Sequence, residues 1–174
     1  MIDFTNVSKS MFANVCKGES SMSDYLTQQF NVTRNGLLRD INNLDNSIMD
    51  VQPKGFNNTI HWHIGHILTT TEQFVFGFPK KTKHIPNHYY DLFANGTKPA
   101  DWTGDVPDVD TLTDQLADQL ERFKQIPAEQ FEQNLEKPLL GQETVGGLVT
   151  FAIFHEANHV GQIHAMNLTA QASQ

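Results

Sequence analysis

The chain has one cysteine, Cys16, and so no internal disulfide. That usage fits a reducing compartment, and a cytoplasmic location is expected. No apolar run reaches the roughly 18 residues that a membrane-spanning helix needs. The opening stretch MIDFTNVSKSMFANVCKGES lacks the continuous apolar core of a signal peptide. Basic residues are few: 12 Lys and Arg against 20 Asp and Glu, for a formal charge of −8. They form no cluster, so no footprint exists for a nucleic-acid backbone or for an anionic membrane surface. Internal repeats and low-complexity tracts are also missing. What remains is 174 residues, 39% of them hydrophobic and 12 of them phenylalanine. That is enough chain to bury a core, and a single domain over 1–174 is expected.

The periodicity predicts helices. Tyr25, Leu26, Phe30, Leu37, Leu38, Ile41, Leu44 and Ile48 recur at helical spacing, giving a helix over about 23–50 with Ser23 as cap and Pro53 as stop. A short helix ending at Gly18 precedes it. TIHWHIGHILTTTEQFVFGF predicts a helix over about 59–77, capped by Asn58 or Thr59 and ended by Gly77 and Pro79. Residues 78–107 are rich in proline and glycine and read as a long crossover, with one helical turn at NHYYDLFANG. Leu112, Leu116, Leu120 and Phe123 form one stripe of a helix over about 109–126, capped by Asp108 or Asp110. A connection with a hairpin fragment at EKPLLGQE leads to a last helix over about 144–170, capped by Thr144. The fold class is therefore all-α: an up-down four-helix bundle with a long crossover connection. Bundle cores commonly hold metal sites built from facing helices.

Eight histidines are present, three of them within 61–66 and three within 155–164. His155 and His159 are four apart, about 40° on a helix, and share one face. His155-Glu156-Ala157-Asn158-His159 also spells HExxH, the zinc metalloprotease pattern. No third ligand with suitable spacing follows, because His164 falls about 180° from His155. A third ligand must come from upstream. There, His63 and His66 are three apart, while His61 points elsewhere. The apolar stripe Ile60, Ile64, Ile67, Thr71, Phe74 and Phe78 favours His63 slightly as the inward ring. Glu156 is a candidate second-layer partner of a histidine, a general base, or a helix–helix contact. Glu72 is expected to face solvent, and Trp62, Phe74, Phe76 and Phe154 to be core.

WHIGHIL on the second helix and FHEANHVGQI on the last resemble the DinB/YfiT-like superfamily of four-helix-bundle metalloproteins. The resemblance covers the helix order, the chain length and these two motifs. It implies His66, His155 and His159 as metal ligands, with His63 as second-layer partner or alternate ligand. Three neutral imidazoles and an open position suit Zn²⁺, Ni²⁺ or Fe²⁺. The resemblance further implies a divalent-metal-dependent enzyme, a hydrolase or an S-transferase using a low-molecular-weight thiol such as bacillithiol or mycothiol. The alternative is a non-catalytic metal-binding or stress-response bundle protein. A small-molecule substrate is the expected partner, and a homodimer is a common arrangement in that family.

Overall fold

The computed structural model describes residues 21–77 and 84–172. The short helix expected before Gly18, Cys16, Phe78 and Pro79 all lie outside the described residues. Four long helices build the bundle: α1 (Met22–Asn42), α2 (Ile60–Val75), α4 (Val109–Phe123) and α6 (Val145–Gln171). Between them lie the short helices α3 (Tyr89–Phe93) and α5 (Ala128–Phe131) and a hairpin of β1 (Asn134–Leu139) and β2 (Gln142–Thr144). Helix α6 packs on α1 and α2, and α4 packs on the same two, so α1 faces α2 across the bundle diagonal. None of the described helices is long and apolar enough to cross a membrane.

Local chemistry sets the helix starts. Ser21, not Ser23, caps α1, because its side chain takes the Asp24 amide while Asp24 bonds back to the Ser21 amide. This reciprocal pair satisfies two otherwise orphaned donors. Thr59, Asp108 and Thr144 cap α2, α4 and α6 by accepting the amides of Trp62, Thr111 and Gly147. Helix α1 ends at Asn42, earlier than the apolar spacing suggests. Asp45 then caps a separate 3₁₀ turn over Asn46–Ile48, and that turn carries Ile48 into the core. The crossover holds more order than one turn: α3 is followed by a second 3₁₀ turn at Pro99–Asp101.

The core forms two apolar clusters. The larger gathers Leu37, Ile41, Ile64, Ile67, Leu112, Leu116, Ile163 and Met166 with Leu92 and Phe93 of the crossover. The smaller gathers Leu26, Phe30, Val75, Leu120, Phe123, Val149 and Ala152. Between them, at the same level on all four long helices, lie the buried polar side chains Arg34, Thr71, Glu72, Gln119 and Glu156. The expected apolar placement of Phe154 is corrected: it is 68% exposed. Its position on α6 faces away from both α1 and α2, a direction the apolar pattern of this helix does not mark. Phe74 is half-buried and rests edge-on against Phe151.

Candidate metal centre

Helix α2 lies in the middle of the molecule, with 13 of its 16 residues buried. The rule that one face is wet therefore gives no guide to which of its histidines meet another helix, and His61, His63 and His66 are all buried. They do different things. His61 bridges the Asp50 carboxylate and the Pro107 carbonyl, at 2.8 Å each, and ties the end of the crossover to the start of α2. His63 and His66 turn toward α6.

The structure brings His66, His155 and His159 together, with one nitrogen of each ring within 4.8 Å of the others. Nε2 of His155 stands 3.1 Å from Nε2 of His66 and 3.1 Å from Nε2 of His159. Ligand nitrogens around one tetrahedral ion are about 3.4 Å apart, given bonds of roughly 2.0–2.1 Å. The two spacings to His155 are close to that value, and His66 and His159, within 4.8 Å of each other, would draw together around a shared cation. The donor set fits as well, because borderline metals such as zinc favour imidazole nitrogen. His155 is half-buried whereas His66 and His159 are buried, so the site opens to solvent on the His155 side, beside Phe151.

The outer partners fix which nitrogen faces inward. Nδ1 of His66 lies 2.7 Å from the Phe93 carbonyl, which only accepts, so this nitrogen carries the hydrogen and Nε2 is left with a lone pair. His159 meets His63 through Nδ1 to Nδ1 at 2.8 Å. With the hydrogen donated by His159, its Nε2 is also bare. His63 is thereby a hydrogen-bond partner of a triad member, behind it rather than beside the other two rings. Burial, reinforced by the neighbouring rings, pushes His63 and His155 down to about 4 and His159 to about 3. Burial also lowers His66, partly opposed by the Phe93 bond. All four rings are neutral at pH 7, the form in which imidazole binds a cation.

Glu156 does not point into the triad. It is fully buried and grips Arg34, with Nε and one terminal nitrogen of the guanidinium donating to its two oxygens at 2.9 and 2.8 Å. Arg34 also donates to the Leu116 carbonyl at 2.8 Å and to Oε1 of Gln119 at 3.1 Å. Gln119 in turn donates to Glu72, at 2.8 Å. Glu72, expected to face solvent, is corrected: it is 2% exposed and receives Arg122 at 2.7 Å. The expectation missed it because the charges that match it stand on α4, some fifty residues away in sequence. Of the three readings of Glu156 the helix–helix contact is the one seen, but its partner Arg34, 122 residues away, had no sequence signal.

A model of the DinB superfamily matches residues 29–163. The solved structure of a conserved protein from Enterococcus faecalis is similar, with a TM-score of 0.61 at 14% identity, covering 86% of this chain and 96% of that one. At that identity the likeness concerns the fold alone. No curated protein matches the chain.

Proposed function

Since the chain belongs to the DinB superfamily, we propose that it is a divalent-metal-dependent enzyme in which His66, His155 and His159 hold the ion. The reaction would be hydrolysis or the transfer of an electrophilic group to a low-molecular-weight thiol. The observation that carries this reading is the gathering of three neutral imidazoles, with Nε2 of His155 3.1 Å from Nε2 of both His66 and His159, at the partly open end of a buried cluster. Zinc, nickel and iron(II) all suit such a donor set. The ion, when bound, supplies Lewis acidity that makes water or a thiol sulfur a better nucleophile near neutral pH.

The chain's own residues supply the rest. The Phe93 carbonyl orients His66, and His63 orients His159. Glu156 is occupied by Arg34 and sets the rotation of α6, so it is assigned no proton-transfer role. Trp62 lies flat on His66 at 4.5 Å and shields that side from water, leaving the His155 side for substrate.

Elemental analysis of untagged protein tests the metal, comparing the natural sequence with His155→Ala. About one equivalent of ion, lost in the variant, is expected. Loaded protein is then assayed with electrophiles in the presence and absence of several small thiols, and with ester and amide substrates. Thiol consumption supports transfer, and thiol-independent turnover supports hydrolysis. Metal that raises the melting temperature while nothing turns over would replace this reading with a non-catalytic metal-binding protein. Absence of metal after incubation with Zn²⁺ and Ni²⁺ would end both.

A further inference from the structure

Gly65 lies between the two inward-facing histidines of α2. A Cβ placed there would stand 2.4–2.5 Å from three ring carbons of Phe93, well inside contact distance. The Phe93 ring therefore sits directly on the α2 backbone, in a space that only glycine leaves open. Phe93 is the last residue of α3 and is fully buried. Tyr89 and Trp102 pack edge-on against its ring, at 5.9 and 5.4 Å between centroids. With the ring seated there, the Phe93 carbonyl comes within 2.7 Å of His66 Nδ1.

The same stretch of the crossover controls the plane of that ring. Trp62 is stacked on His66, and its indole N–H donates to the Thr97 hydroxyl at 2.9 Å. The Thr97 hydroxyl lies 2.7 and 2.8 Å from the carbonyls of Leu92 and Ala94, the neighbours of Phe93. Trp102 donates to the Leu92 carbonyl as well, at 2.9 Å. One short segment thus fixes His66 twice: through the carbonyl that takes its hydrogen and through the indole that covers its face.

We propose that Gly65 and Phe93 are positioning residues of the metal centre. They seat the crossover on α2 so that His66 is held as its Nδ1–H tautomer, with the Nε2 lone pair turned toward His155. The proposal rests on the triad as a metal site, but its central claim concerns the metal-free ring. If Phe93 were pushed off α2, His66 would lose its acceptor. The other tautomer would then become available, and it presents an N–H, not a lone pair, to the triad.

The test uses metal-free protein labelled with ¹⁵N-histidine, whose ring nitrogens report tautomer by NMR at neutral pH. Zn²⁺ affinity is measured separately by competition with a chromophoric chelator. The natural sequence is expected to show His66 in one tautomer, Nδ1–H. Gly65→Ala is expected to show a mixture, with Zn²⁺ affinity lower by roughly 10- to 100-fold, the range for lost outer-layer partners. Gly65→Ala combined with Phe93→Ala removes the three ring carbons that the new methyl would meet, keeps the backbone carbonyl and is expected to recover both properties in part. A merely structural role of Gly65 would lower the melting temperature without moving the tautomer. The proposal is overturned if His66 of the natural sequence is Nε2–H or averages both forms. It is equally overturned if folded Gly65→Ala keeps the tautomer and binds Zn²⁺ within about twofold. If Gly65→Ala does not fold, the spectrum of the natural sequence and the behaviour of the double variant decide. If the tautomer is as stated and no Zn²⁺ binds, the metal reading fails and the positioning of the ring stands.

Discussion

Removing Glu156 alone should be at least as damaging as removing it together with Arg34. Both side chains of the pair have 0% exposure, so water does not screen the charge that is left behind. In Glu156→Leu the Arg34 guanidinium keeps its bonds to Leu116 and Gln119 but loses both carboxylate contacts. Breaking a buried pair from one side costs about 3–5 kcal/mol. For a chain of this size each kcal/mol moves the melting temperature by about 2–4 °C, so a fall of roughly 6–20 °C is expected. In the double variant Arg34→Met/Glu156→Leu no buried charge remains. Its residual cost comes from the Gln119 oxygen, about 1–3 kcal/mol for a group left unsatisfied, since the Leu116 carbonyl lies inside α4 and keeps a helical bond. The double variant should therefore be at least as stable as Glu156→Leu, with a coupling energy of about 2 kcal/mol or more. Urea unfolding followed by circular dichroism, on metal-free protein, measures all four corners of the cycle. Additive losses, or a Glu156→Leu loss under about 1 kcal/mol, would refute the reasoning.

Two further outcomes follow from the site. His159→Ala removes one of the three proposed ligands and should abolish stoichiometric Zn²⁺ binding. His63→Ala removes only its hydrogen-bond partner and should weaken binding by roughly 10- to 100-fold, read by chelator competition; equal effects would mean that His63 is itself a ligand. The second outcome concerns pH. The folded values of His63, His155 and His159, at about 4, 4 and 3, lie below the ordinary 6.5. The unfolded chain thus binds protons first, and the stability of metal-free protein should be full above about 6.5 and fall progressively as pH drops toward 4. Zn²⁺ should carry the urea midpoint to lower pH by competing with those protons. A midpoint that is flat between pH 7 and 4 would contradict the buried, neutral rings.

Helices α1, α2 and α4 were legible because their apolar residues recur with a helical period, whereas α6 shows almost no such period and was legible as a long apolar stretch behind its cap Thr144. The pair His155 and His159 was legible as a spacing on one helix. The choice between His63 and His66 was not, because α2 is covered on nearly every side and its apolar stripe therefore says nothing about facing. The resemblance to a known family pointed to His66, and in the structure it is His66 that meets His155 while His63 stands behind His159. Glu72 was illegible, and Glu156 was open between a histidine partner, a general base and a helix–helix contact, for a different reason. The role of a carboxylate is not fixed until its cationic partner is known, and Arg122 and Arg34 lie on other helices. Beyond the turn expected at NHYYDLFANG, where α3 forms, the order of the crossover was hidden too, since its bonds run through Trp62, Thr97 and Trp102, residues without periodic spacing.

The polar layer between the two apolar clusters also acts as an alignment gauge. Apolar side chains on parallel stripes tolerate sliding, because one helix can advance by a turn, about 5.4 Å, and meet a similar surface. Arg34, Thr71, Gln119 and Glu156 cannot, since each of the four long helices contributes one member to a set of bonds that closes only at one level. Any slipped arrangement strands a charge in the core, and its penalty falls on the wrong fold rather than on the right one. Glu156 is the immediate neighbour of His155, so the same gauge that rejects slipped bundles also brings the histidines of α6 level with His66.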